Sequence, residues 1–385
     1  MNSMRAELRN FFPVVNKAIY LNHAAIGPSP KPVTDESQKW VHHKSYGDMY
    51  FSPLSQMYED LNLDRDILGK LINARSPRDE ISFKYNTSYG LAAIAEAIPW
   101  EKGDTIILNY LEYTSNSYTY QALARKFDLK VKTIPHINGV LPLDKFEAAL
   151  DQTTRLVAIS HVQFSNGFRT DLEALASLVH EGGGEIIVDG IQSLGAIPLD
   201  VQKSNIDYLA AGGYKWLLAP LGTGFLYVRK DLAESLQPSL IGSMSDATPM
   251  NLSHHHYVPG PAAKRFQASL GPNAYLLAVA VKFLLDIGIN NIFNHILSLT
   301  DIIIEFIRDN SNFELNSPVE DIKNRSGIIN FKCPNAEEIV VRLRKLEKPI
   351  AVSYREKGIR ISPHCYNTEE EVRTCLETIA QLSSQ

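Results

Sequence analysis

The sequence is poor in cysteine, has no long uninterrupted apolar run and carries no block of like charge, and each shortage excludes a class of protein. Three cysteines, Cys333, Cys365 and Cys375, are too few and too close to the C-terminus for a disulfide framework. The start, Met1 to Val15, lacks the apolar core of a signal peptide, so a reducing cytoplasm is the expected setting. The most apolar stretches, Leu276 to Ile287 and Ile292 to Ile307, are interrupted by Lys282, Asp286, His295, Asp301 and Glu305. They read as amphipathic helices, not membrane spans. Basic and acidic side chains number 38 and 43, for a net charge of -5, and are intermixed along the chain. That balance argues against nucleic acid or a bilayer as partner and leaves small molecules. There is no internal repeat or low-complexity tract.

What is present is enough apolar material, 44% of 385 residues, to bury one large and one smaller domain. From Ile81 to Val228, β-rich runs alternate with helical patterns. Candidate strands are Ile81–Tyr85, Thr105–Tyr110, Lys130–Pro135, Arg155–Val162, Glu185–Asp189, Tyr208–Ala211 and Phe225–Val228. Such alternation predicts an α/β fold with a mostly parallel, seven-stranded, helix-covered sheet. Leu172, Leu175, Ala176 and Val179 repeat with helical spacing, and Thr170 with Glu173 has the capping-box pattern. The following strand ends at Asp189, at the carboxyl edge where ligands of open α/β sheets sit.

The Pro- and Gly-rich stretch Tyr257 to Pro272 predicts a long loop feeding a helix from about Asn273 to Ile287. Beyond it, strands Gly327–Lys332, Ile350–Tyr354 and Ile359–Ser362, with helices around Glu337–Leu346 and Glu369–Leu382, predict a small α+β domain. The expected division is a large domain over residues 16–290 and a small one built from 1–15 and 291–385.

The informative constellation is an ordered series: Asp189-Gly-Ile-Gln192, Gly213-Tyr214-Lys215-Trp216 and Gly222-Thr-Gly224. Asp189 and Lys215 are separated by room for one more strand, so both can emerge at the same sheet edge. A lysine amine and a carboxylate are the parts that pyridoxal 5'-phosphate chemistry uses. The amine forms the Schiff base and then serves as a base at the substrate Cα, and the carboxylate keeps the pyridine nitrogen protonated.

These segments resemble the class V aminotransferase superfamily of fold-type I enzymes over nearly the whole chain. That superfamily includes cysteine desulfurases, kynureninases, isopenicillin-N-epimerase-like enzymes and small-substrate transaminases. The resemblance implies Lys215 as the Schiff-base lysine and Asp189 as the partner of the ring nitrogen. Asn86-Thr-Ser-Tyr-Gly90 resembles the phosphate-binding turn, which implies Thr87 and Ser88 as phosphate contacts; hydroxyls and free N–H groups opening a helix suit an anion. Tyr113, after Glu112, stands where relatives stack a histidine on the cofactor ring. Gln192 corresponds to a donor near the phenolic oxygen, and Tyr214 to a residue whose hydroxyl reaches the phosphate.

Tyr20-Leu-Asn-His-Ala-Ala25 resembles the segment that reaches the substrate side, which implies His23 as a substrate contact. Gly358-Ile-Arg360 through Tyr366-Asn-Thr368 resembles the segment whose arginine binds the substrate carboxylate, a role that suits the planar guanidinium of Arg360. Arg265-Phe-Gln-Ala-Ser269 resembles a segment that crosses a dimer interface, implying a homodimer with shared sites and Ser269 as a contact to the partner's phosphate. Thr368 and Glu371 form a capping-box pattern for the last helix. Phe164 stands where desulfurases place an asparagine beside the cofactor hydroxyl; Gln163 or Asn166 are the candidates to replace it.

Transamination of an amino acid is the first reading. A Cβ lyase or an epimerase of the same superfamily, and a non-catalytic protein retaining the fold, are the alternatives. A persulfide-forming desulfurase is not expected, because the short segment Arg355-Glu-Lys-Gly358 carries no cysteine. A dinucleotide fold is not expected either, since Gly182-Gly-Gly184 precedes a strand rather than following one. His254-His255-His256 reads as a polar loop, because consecutive histidines cannot all face one ion. No metal site is expected.

Overall fold

The computed structural model describes residues 7–47, 54–249, 251, 253, 255–269 and 272–385. After a short strand β1 (Ile19–Tyr20), the chain builds seven strands: β2 (Ile81–Lys84), β3 (Thr105–Asn109), β4 (Lys130–Ile134), β5 (Thr154–Ser160), β6 (Glu185–Asp189), β7 (Tyr208–Gly212) and β8 (Gly224–Val228). They form one sheet in the order β2-β8-β7-β6-β5-β3-β4, and β8 alone runs against both of its neighbours. All seven coincide with the candidate strands to within one or two residues. The reason is visible in their burial: β3, β6, β7 and β8 are covered on both faces and read as near-continuous apolar runs. The edge strand β4 instead exposes Lys130 and interleaves polar residues, which discourages pairing with another edge.

The C-terminal region adds β9 (Glu314–Leu315), β10 (Ile329–Lys332), β11 (Ile350–Ala351), β12 (Ser353–Arg355) and β13 (Gly358–Ile361). Four of these make an antiparallel sheet in the order β12-β13-β10-β9, while β11 pairs in parallel with β1. The single strand expected over Ile350–Tyr354 is therefore two. The chain changes partners at Val352, from the N-terminal segment to the β13 hairpin.

Two further readings need correction. The Thr170–Glu173 capping box does not form: Asp171 caps the helix Leu172–Glu181 through the N–H of Ala174, and Thr170 instead donates to the carbonyl of Ser160. The loop before Pro272 contains a 3-10 turn, Ala262–Phe266. The box at Thr368 and Glu371 forms as read.

The N-terminal residues divide between two hydrophobic clusters. Phe12 packs in the cluster under the large sheet, together with Ile292 and Ile296, whereas Ile19 and Leu21 pack in the C-terminal cluster with Ile303 and Ile361. Strand pairing of β1 with β11 carries this short segment across. The apolar helices Pro272–Ile287 and Ile289–Arg308 meet at Gly288 with a bend of 74° and bury Leu277, Val281, Ile296 and Ile303. Among the described residues no single helix is long and apolar enough to cross a membrane.

Candidate active site

Asp189 closes β6 and Lys215 follows β7, so adjacent parallel strands deliver both to the carboxyl edge of the sheet. They line one cavity of about 310 Å3 with Thr87, Ser88, Tyr113 and Tyr214, six of the ten residues singled out in the sequence. The helix Thr87–Ala97 opens toward it, with Asn86 as N-cap accepting from the N–H of Tyr89. Thr87 Oγ1 accepts from the Gly212 N–H at 2.8 Å, which keeps the hydroxyl proton free to donate elsewhere. Ser88 is exposed. Lys215 Nζ lies 5.7 Å from the centre of the Tyr113 ring and 5.9 Å from that of Tyr214, held between two aromatic faces.

Burial sets the electrostatics. Desolvation lowers the Lys215 amine to about 8, against the pull of Asp189 and with the push of Arg360 and Arg355. Desolvation also raises Asp189 to about 7, opposed by the N–H of Ile191 and assisted by the negative charge of Glu112. Lys215 has no hydrogen-bond acceptor among the described residues. The pair is a poorly solvated amine and a poorly solvated acid, poised to move protons near neutral pH.

Arg360 is buried on β13. Its Nε donates to Ser353 Oγ at 3.1 Å and one Nη to the carbonyl of Phe164, and no carboxylate pairs with it among the described residues. Desolvation and the neighbouring Arg355 push its pKa down to about 9. Phe164 sets its ring edge-on to Tyr113, with centroids 5.1 Å apart.

Four of the ten, Arg360 among them, stand outside the cavity lining. Gln192 is buried outside the cavity lining; its amide donates to Ala24 O and accepts from the Trp216 indole, bracing the turn that carries Lys215. His23 is fully buried with both ring nitrogens engaged, one with Ser362 O and one with Tyr366 OH. In this arrangement it offers no atom to a substrate, and it belongs to an aromatic cluster with Trp216, His364 and Tyr366. Ser269 lies beyond the cavity wall, 3.2 Å from the hydroxyl of Tyr85, a residue that does line it. Of the two candidates to replace the asparagine at Phe164, Asn166 is committed to Gly139 and Phe168. Gln163 has a buried amide oxygen with no partner. His254 lies outside the described residues, and the described residues contain no group of three metal-ligating side chains.

Sequence reading missed the hub beneath Tyr113. The carboxylate of Glu112 accepts from Asn109, Asn116, Gln163 and both the N–H and hydroxyl of Ser160. Five donors and no cation fix the start of the helix Thr114–Phe127, and with it the angle of Tyr113. The spacing of Asn109, Glu112 and Asn116 was the available signal.

The profile of the family "Aminotransferase class-V" matches residues 19–374. The chain belongs to the class V aminotransferase family. An uncharacterized aminotransferase, YcbU of Bacillus subtilis (strain 168), is 27% identical over 99% of this chain and 98% of its own length. A solved cysteine desulfurase from Thermococcus onnurineus NA1 superposes with a TM-score of 0.87 at 26% identity, covering 98% of both chains. A C-DES protein with glycine covalently linked to its PLP cofactor has the same fold, with a TM-score of 0.86 at 21% identity over 97% of this chain and 98% of its own. Class V membership brings pyridoxal 5'-phosphate as cofactor, and the residues present fit it. A buried lysine without an acceptor, a buried acid, a half-exposed aromatic face and a helix N-terminus with a free hydroxyl proton converge on one cavity.

Proposed function

We propose that this class V enzyme acts at the Cα of an amino acid and that its reaction is transamination. The observation that carries the reading is two buried cations with no salt-bridge partner among the described residues, Lys215 and Arg360, the charge of Arg360 adding to the desolvation that lowers the lysine. Such an arrangement leaves a place for a carboxylate at Arg360 and an amine-reactive group at Lys215. The bound cofactor supplies an electron sink for the Cα. Lys215 anchors it and then carries a proton to and from that carbon, a task suited to an amine with its pKa lowered toward neutrality. Asp189 would supply the anion for the ring nitrogen, Tyr113 an aromatic face for the ring, and Thr87, Ser88 and Tyr214 the donors for the phosphate. Gln192 is assigned to the phenolic oxygen, for which its amide keeps a second N–H beyond the one given to Ala24 O.

A homodimer with shared sites is part of the proposal. Exposed Tyr85, Tyr89, Leu221 and Leu240 surround the cavity and the neighbouring Ser269, an apolar rim that a second copy would cover. Ser269 would then serve the partner's phosphate.

A persulfide route lacks its thiol. Cys365 and Cys375 are buried, Cys333 is half-buried, burial raises the pKa of all three, and none lines the cavity.

Borohydride reduction of the holoenzyme followed by peptide mapping tests the anchor, with the label expected on the peptide containing Lys215. An amino-acid screen that follows cofactor absorbance and products tests the reaction. A keto acid formed with retention of the amino group on the cofactor supports transamination, and free ammonia or an inverted Cα supports the lyase or the epimerase.

A further inference from the structure

The hairpin β12–β13 carries a second arginine that the carboxylate-binding role of Arg360 does not use. Ser353 faces Arg360 across the hairpin and Arg355 faces Gly358, so alternation along each strand puts Ser353, Arg355 and Arg360 on one face. Asn330 of β10, opposite Arg360, shares that face. Its direction is fixed by contacts: Arg360 donates to Phe164 O, and Asn330 donates to Ser165 O, so the face looks onto the segment after β5 beside the cavity. Arg355 and Arg360 are diagonal neighbours on it.

The position opposite Arg355 has to be glycine. A Cβ on Gly358 would stand 2.3 Å from Asn330 Oδ1 and 2.5 Å from Phe331 O. The tight turn at Glu356 and Lys357, both with positive φ, closes the hairpin immediately beyond. The backbone of Arg355 is pinned, its carbonyl accepting from Asn330 Nδ2 at 3.0 Å, while its side chain is exposed. The guanidinium donates only to the carbonyl of Tyr354 and pairs with no carboxylate among the described residues. Its charge nonetheless reaches inward, depressing both the Lys215 amine and Arg360. Two guanidinium groups without a carboxylate partner among the described residues therefore stand as diagonal neighbours on this face, one buried and one exposed. Of the nearby acids, Asp189 lines the cavity with Lys215 and Glu112 is spent on five donors.

We infer that Arg355 recognises a second anionic group on the substrate, so that this enzyme takes dicarboxylic amino acids in preference to neutral ones. The inference rests on the reading of Lys215 and Arg360 given above and adds the substrate class. Arg360 takes the α-carboxylate, for which burial gives strength. Arg355, on the solvent side, takes the side-chain carboxylate, for which its exposed position leaves room for side chains of different length.

The test uses the holoenzyme and the cofactor absorbance change on titration with matched pairs: L-aspartate with L-asparagine, and L-glutamate with L-glutamine. Each pair has the same shape and differs in one charge. For at least one pair the native enzyme is expected to bind the acid tenfold or more tighter than its amide, and in Arg355→Gln that ratio is expected to fall toward one. Raised salt should narrow the native ratio as well, because Arg355 is exposed. Equal affinity within both pairs in the native enzyme, or an unchanged ratio in Arg355→Gln, would overturn the inference and leave the amino-acid reading standing. Failure of every amino acid to perturb the cofactor would overturn both.

Discussion

The backbone N–H of Gly27 donates to the carbonyl of Tyr214 at 2.8 Å, and a Cβ on Gly27 would stand 2.0 Å from the carbonyl oxygen of Lys215. The N-terminal segment is thus pressed against the backbone that carries the lysine. The same turn is held from the other side by His364, whose Nε2 lies 3.0 Å from Trp216 O, and by Gln192 on the Trp216 indole. Gly27→Ala should push the lysine turn aside. A stability loss of roughly 1–3 kcal/mol is expected for a clash of this kind, with turnover reduced and cofactor still loaded. Native melting temperature together with native turnover would show that the clamp does not position Lys215.

Asp189→Asn should lower turnover by orders of magnitude while the cofactor remains bound, because the amide cannot hold the ring nitrogen protonated. In the apoprotein its effect on stability has the opposite sign. Folding raises Asp189 from its ordinary value to about 7, so the folded state penalises the ionised form. That penalty is absent below about pH 4, grows between 4 and 7 and is complete above 7. The apo variant should therefore be more stable than the native apoprotein at pH 8, with the advantage fading toward pH 4. Thermal melts at the two pH values check this, and a gain that grows as pH falls would contradict the assignment.

Arg360→Lys should weaken amino-acid binding by about 2–5 kcal/mol, since the ammonium cannot reproduce a bidentate pair in a buried setting. Cofactor content should be unaffected. Titration of the native enzyme with an amino acid and with its decarboxylated amine supplies the control: equal affinity for the two would mean that Arg360 does not read the carboxylate.

Converting Cys333, Cys365 and Cys375 to serine should leave the principal activity largely intact. Cys365 and Cys375 are packed in the two main hydrophobic clusters, so some loss of thermal stability is expected with no change in the rate per folded molecule. Sulfur release from cysteine that vanishes with any one of these thiols would restore the desulfurase reading.

The central sheet was legible because strands buried on both faces must be apolar throughout, and helices between them must be periodic. β6 and β7 show this: Glu185–Asp189 and Tyr208–Gly212 announce themselves by composition, and the chain reversal after each leaves Asp189 and Lys215 at one edge. The segments around Thr87, Tyr113 and Tyr214 were legible for a different reason, their likeness to a family, and the fold brings them to one cavity. Readings failed where the partner was distant. No local signal tells that Ile350–Tyr354 must break at Val352, since what breaks it is β1, more than three hundred residues away.

By itself, then, the sequence determined the α/β architecture, the order of the strands along the chain and the chemical types available at its carboxyl edge, because these depend on short-range periodicity and on residue identity. Only the tertiary structure decided what each polar group is free to do. His23 and Gln192 look in the sequence like ligand-binding residues, yet packing has engaged both ring nitrogens of one and both ends of the other's amide. Arg355 looks like an ordinary charge in a surface turn, yet strand register sets it beside Arg360. Burial and hydrogen bonding are properties of surroundings assembled from distant parts of the chain, and so they are fixed only when the chain has folded.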